Sequence, residues 1–121
     1  VHSMKGVFGE YIRSRREALR QTDRSFSLRQ VAAKIGIEPS FLSRVERGEP
    51  TTLSEEKIVA LAGVLNEDPD VLLALSGKVS SDVQEVIRKR PKLFAQLVRD
   101  LKDLPDHAVL RIVREVRDGD W

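Results

Sequence analysis

Apolar residues recur along this chain three and four positions apart, and no run alternates with period two. Every element the pattern predicts is therefore a helix. Val7, Phe8, Tyr11, Ile12, Arg15 and Leu19 share the broad inner side of a first helix, Val7 to Leu19. Leu28, Val31, Ala32 and Ile35 mark one face of a second, with Ser27 placed to cap its free N–H groups and Gly36 to end it. A third begins at Pro39, a favoured first helical position, turns Leu42 and Val45 inward and stops at Arg47-Gly48. Thr52-Leu-Ser-Glu55 fits a capping box for a fourth, whose stripe is Ile58, Leu61, Ala62 and Leu65. Asp68 caps a fifth with Pro69 in its first turn, and Val71, Leu72 and Leu75 close the core.

Beyond Gly77-Lys-Val-Ser-Ser81, the best linker candidate, three further amphipathic patterns follow. Val83, Val86 and Ile87 form one that stops at Pro91. Leu93, Phe94, Leu97, Val98 and Leu101 form the next. Asp106 caps a last one carrying Val109, Leu110, Ile112, Val113 and Val116. These stripes are too apolar to stay solvated. They cover the first domain, pair with the same stripes of a second chain, or receive another protein.

Helix, glycine turn, short helix and glycine stop over Ser27 to Gly48 is the signature of a helix-turn-helix. The stretch resembles the Cro/phage-repressor type of DNA-binding domain, the xenobiotic-response-element family. The matching residues are Leu28, Val31-Ala32, Ile35-Gly36, Pro39-Ser40, Leu42-Ser43-Arg44, Val45-Glu46 and Arg47-Gly48. The likeness extends over roughly Val7 to Leu75, and Phe41 to Gly48 is its most specific block. It implies an all-α protein: a five-helix lambda-repressor-like DNA-binding domain over 7–76, with its motif at 28–47, then a helical C-terminal region over 80–118 for dimerisation or partner binding. Two features depart from the family pattern. The connection from Arg20 to Ser27 is longer than usual, and Pro39 stands where many members carry a long polar side chain.

By the same resemblance, the second motif helix enters the major groove and presents Glu38, Pro39, Ser40, Ser43 and Arg44 to the bases. Arg44 is the best base reader, since its fork matches guanine O6 and N7. Ser27, Arg29, Arg47, Thr51 and Thr52 are expected on phosphates, the first two at a helix N-terminus that offers free N–H groups to an anion. Arg16 is expected to pair with Glu46 and lock the helices, the alternative being a phosphate contact. Arg20 and Arg24 either reach the DNA backbone or remain solvated.

Charge agrees with this placement. Residues 1–53 carry ten Lys/Arg against six Asp/Glu, residues 54–76 one against five, and residues 77–121 ten against eight. The basic excess thus falls on the motif, as phosphate binding requires. A solvated face of mixed charge is the plainer reading of so small an excess. The absence of Cys rules out disulfides, thiolate zinc sites and Cys nucleophiles. His2 and His107 are the only histidines, and no Gly-rich phosphate loop or paired carboxylates accompany them. No catalytic set, metal or cofactor is implied. No apolar run approaches a membrane span, so the chain is expected in the cytoplasm, at the nucleoid when bound to DNA. Met4 inside the first residues suggests a tag or disordered N-terminus over 1–6.

The expected function is that of a sequence-specific double-stranded DNA-binding transcription regulator, a repressor acting as a homodimer on a palindromic operator. The competing expectation is an antitoxin-like regulator whose C-terminal helices hold a different protein.

Overall fold

The structure, a computed structural model, describes residues 6–121; the tag expected at the N-terminus lies, but for Gly6, outside them. All regular elements among these residues are helical: α1 (Val7–Arg20), α2 (Leu28–Ile35), α3 (Pro39–Glu46), α4 (Glu55–Leu65), α5 (Pro69–Leu75), α6 (Ser81–Lys89), α7 (Pro91–Leu101) and α8 (Asp106–Asp118). A 3-10 turn, Arg24–Phe26, shortens the long connection after α1. The chain divides into two compact units, the second being Ser81–Trp121.

In the first unit α1 to α5 enclose one core. Ile12, Val31, Leu42, Ile58, Leu61, Leu65, Leu72 and Leu73 are essentially inaccessible to solvent, and Phe8, Leu19, Phe26, Leu28 and Phe41 pack against them. Local chemistry sets the helix ends. Ser27 Oγ accepts from Gln30 N at 3.3 Å, and Asp68 Oδ1 accepts from Asp70 N at 2.8 Å. Gly36 closes α2 at φ 74°, a left-handed conformation that costs glycine nothing.

Four local expectations shift. Ser54, not Thr52, caps α4, accepting from Lys57 N at 3.2 Å. Burial of Leu53 pins the chain there, so the helix starts one step beyond the anchor. Pro105, not Asp106, is the N-cap residue of α8; its extended backbone leaves Asp106 as the first helical residue. Val71 is 42% exposed while Leu73 is buried, because the seven-residue α5 turns Leu72 and Leu73 to the core together. Tyr11 also lies outward, and its hydroxyl donates to Glu67 Oε2 at 3.1 Å. Arg15 beside it bonds the Leu65 carbonyl and Glu67, fastening α1 to the α4–α5 turn.

The join between α1 and α3 is polar and very close. Arg16 Nε and Nη2 donate to the two Glu46 carboxylate oxygens at 2.7 and 2.9 Å, and Nη1 donates to the Phe26 carbonyl at 3.2 Å. Both side chains are about 5% exposed. The hydrogen bonding of Arg16 to the Glu46 carboxylate raises the Arg16 pKa above its ordinary value despite the opposing effect of burial. Gly9 makes this approach possible: a Cβ there would collide with the Val45 carbonyl oxygen and lie 2.8 Å from that of Glu46.

Two stability outcomes follow from this join. Glu46→Ala strands a buried guanidinium and is expected to lower unfolding free energy by about 3–5 kcal/mol in urea titrations. Gly9→Ala is expected to cost about 1–3 kcal/mol by forcing α1 and α3 apart. Unchanged midpoints would mean that neither contact holds the two helices together.

Candidate nucleic-acid interface

At eight residues α3 is too short to hold its shape alone. Leu42, Val45 and Glu46 on its inner side bind it to the fold. From the other side, Lys57 Nζ donates to the Ile35 carbonyl at 2.9 Å, satisfying the end of α2 at the turn into α3. What remains outside is polar. Glu38, Ser40 and Arg44 are exposed, and Pro39 and Ser43 are half-buried at the edge. Glu38 precedes the helix without capping it by its side chain, and its carbonyl accepts the Phe41 and Leu42 N–H groups. The Arg44 guanidinium lies 5.5 Å from the centre of the Phe41 ring, which narrows its conformations while leaving its fork outward.

Arg47 is held from two directions. Its Nε donates to Glu49 Oε2 at 2.7 Å, and Nη1 donates to Ser43 Oγ. A groove edge contact by Ser43 and a phosphate contact by Arg47 would have to exchange or share these bonds. Both residues line an open basin of about 550 Å³ between α1, the start of α2 and the outer edge of α3. Ser27, Arg29 and Pro39 line it as well. So do Arg13 and Arg20 from α1, with Arg20 Nη1 3.6 Å from Glu17. The basin gathers guanidinium groups from α1, from α2 and from Arg47 just after α3 around one helix N-terminus, where the dipole and open N–H groups favour an anion.

Arg13 carries no local signal that separates it from the other arginines of α1. Its position two turns from Arg20 on one helix face, beside the α2 N-terminus, becomes visible only once α1 and α2 are packed. Thr51 and Thr52 do not join the basin; they line a separate cleft of about 240 Å³ with Val45, Gly48 and Leu53. Thr52 is exposed, but the Thr51 hydroxyl oxygen is buried without a hydrogen-bond partner. A phosphate contact by Thr51 would require this hydroxyl to turn outward from the tight turn in which Thr51 N donates to the Glu49 carbonyl.

A polar edge on a firmly seated short helix, flanked by an arginine-lined basin, is the candidate nucleic-acid surface of this unit. Residues 17–72 match the family model described as helix-turn-helix. This matched segment is similar to the DNA-binding domain of Cro/repressor-type transcription regulators. No curated protein matches the chain, and no solved structure does. Among the described residues no helix is long and apolar enough to cross a membrane, and no cluster of His, Cys, Asp and Glu is arranged to hold a metal ion.

The basin has a measurable signature. Arg13→Ala and Arg20→Ala are each expected to weaken binding to any duplex and to reduce the slope of log K against log salt by about 0.9 per lost phosphate contact. Fluorescence-anisotropy titrations over a salt series read this directly. An unchanged slope in both variants would remove the basin from the interface.

Proposed function

We propose that the protein is a sequence-specific repressor that binds a palindromic operator as a homodimer, with α3 in the major groove. The observation that carries this reading is the division of α3 into two sides. Leu42, Val45 and Glu46 are spent on the fold, while Glu38, Ser40, Ser43 and Arg44 stand along its outer edge. A helix so held can enter a groove without being rebuilt.

Arg44 pairs with a guanine through O6 and N7, the contact that its planar fork matches best. Ser40 and Ser43 donate or accept, so they adjust preference at neighbouring bases. Pro39 meets a thymine methyl, and Glu38 accepts from a cytosine amino group. Arg13, Arg20, Ser27, Arg29, Arg47 and Thr52 hold the flanking phosphates and so fix the angle at which α3 enters. Half-sites about one duplex turn apart, ~34 Å, present the same face of the DNA to two copies related by a two-fold axis. Occupancy of that turn excludes other proteins from it, and repression is the direct consequence. The protein works at the nucleoid, in the cytoplasm.

Selection of random duplexes with the full chain is expected to enrich a palindrome. On that operator Arg44→Ala should raise Kd by roughly 5- to 150-fold, the range of one bidentate base contact, about 1–3 kcal/mol. Binding to an unrelated duplex should change little. Equal loss on both duplexes would make Arg44 a phosphate contact, and selection without enrichment would refute sequence-specific recognition.

A further inference from the structure

Ser43, Arg47 and Glu49 form one connected strap at the end of α3. Arg47 Nε donates to Glu49 Oε2 at 2.7 Å, and Arg47 Nη1 donates to Ser43 Oγ. The backbone sets this strap up. Arg47 is the C-cap of α3, and Gly48 follows in the left-handed conformation at φ 76°. Gly48 N donates to the Val45 carbonyl at 3.0 Å and Glu49 N to the Arg44 carbonyl at 3.1 Å. This double closure turns the chain back over the last helical turn and sets Glu49 beside Arg47. Ser43 lies one helical turn before Arg47 on the same face. Gly48 is fixed in its role, since a Cβ there would lie 2.8 Å from the Gly6 Cα.

The strap contributes little to stability. The Arg47 and Glu49 side chains are 53% and 42% exposed, and water weakens an ion pair so placed. What it fixes is the direction of a proton. A guanidinium has donors only, so Ser43 Oγ must be the acceptor of the bond from Arg47. The Ser43 proton is thereby turned away from Arg47, and no hydrogen bond among the described residues uses it. Accepting from a cation strengthens the hydroxyl as a donor. The same positive charge repels an amino group that would approach the remaining lone pair.

We infer that Arg47, held by Glu49, makes Ser43 a hydrogen-bond donor to DNA, so that α3 prefers at that position a base whose major-groove edge accepts. This rests on the reading of α3 as the groove helix and narrows it, because an unrestrained serine hydroxyl serves in either sense. Guanine offers O6 and N7, and thymine offers O4, with no donor on the same edge; cytosine offers only its N4 donor. Guanine and thymine are therefore favoured at this position and cytosine is rejected. Arg47 and Glu49 are positioning residues, since they act on the base through Ser43. Two of the five guanidinium N–H groups are used in the strap, which leaves three for a phosphate in the basin that Arg47 lines. Base and phosphate contacts then share the bonds of the free protein and need not exchange them.

The test uses the full chain. Random-duplex selection and competition titrations compare it with its variants, operator position by position. Ser43→Ala is expected to erase the preference at one base pair of a half-site, which identifies the base that Ser43 reads. In the wild type that base is guanine or thymine, favoured over cytosine roughly fivefold, the yield of one neutral hydrogen bond. Glu49→Ala releases Arg47 and removes a negative charge from beside the duplex. It is expected to tighten binding to an unrelated duplex by roughly two- to fivefold, as one unlike charge fewer allows, while that single preference falls. Arg47→Met should lower the same preference and spare those at other positions. A merely structural role for the strap would instead weaken every position together, in both variants. Without DNA, the Arg47 Nε–H resonance should exchange with water more slowly in the wild type than in Glu49→Ala. Equal exchange rates would overturn the strap itself. Cytosine at the position that Ser43→Ala identifies, or a preference there that survives both strap variants, overturns the inference and leaves α3 as the groove helix. So does a Ser43→Ala variant that selects the wild-type sequence unaltered. A wild type that enriches no sequence overturns sequence-specific reading, and the inference with it.

Discussion

The first unit depends on a buried pair of opposite charges. Arg16 and Glu46 meet as two parallel hydrogen bonds of 2.7 and 2.9 Å in a place almost closed to water. Removing two charges from water is costly, and a well-packed apolar pair can match such a contact in stability. Its particular use is geometric. The guanidinium fork accepts a carboxylate in one plane only, and its third nitrogen is held by the Phe26 carbonyl. One side chain therefore sets α1, the turn before α2 and the end of α3 in register. Gly9 lets the two backbones come close enough for the fork to reach.

That register explains how so short a helix keeps its shape and its orientation. α3 has two turns, and its own hydrogen bonds cannot keep it formed. It borrows rigidity through Leu42, Val45 and Glu46, through Lys57 at the preceding turn, and through Arg47, which straps Ser43 to Glu49 at its end. None of these anchors uses Ser40 or the Arg44 fork. Most of the anchoring lies on the inner side of the helix, and only the Ser43 hydroxyl of the outer edge is engaged, leaving Ser40 and Arg44 open. The same packing brings Arg13 and Arg20 to the α2 N-terminus, so the proposed phosphate contacts and the orientation of α3 share one support.

The two units solve opposite problems with the same local grammar. In both, apolar residues recur at helical spacing. In the first, five stripes converge and leave thirteen apolar residues buried. In the second, three stripes at the same spacing leave no residue of the unit buried. Amphipathic periodicity commits a helix to burial against something; it does not specify whether that neighbour lies in the same molecule.

The sequence by itself determined what is local. Helical period, Ser27 and Asp68 as caps, Pro39 and Pro69 as first residues, and Gly36 as a left-handed stop are written in stretches of a few residues. The steric and hydrogen-bonding preferences behind them act over that same distance. The membership of Leu42, Val45 and Ile58 in the core follows from their period, and the pairing of Arg16 with Glu46 was accessible only through resemblance to a known family. Tertiary structure decided whatever depended on distant segments meeting. It moved the α4 cap to Ser54 by burying Leu53, turned Val71 out and Leu73 in, drew the Thr51 hydroxyl inside, and brought Arg13 to the basin. Each of these is a choice among locally equivalent positions. A hydroxyl or a guanidinium looks the same along the chain wherever it will finally point, and only the neighbours that packing supplies distinguish one position from the next.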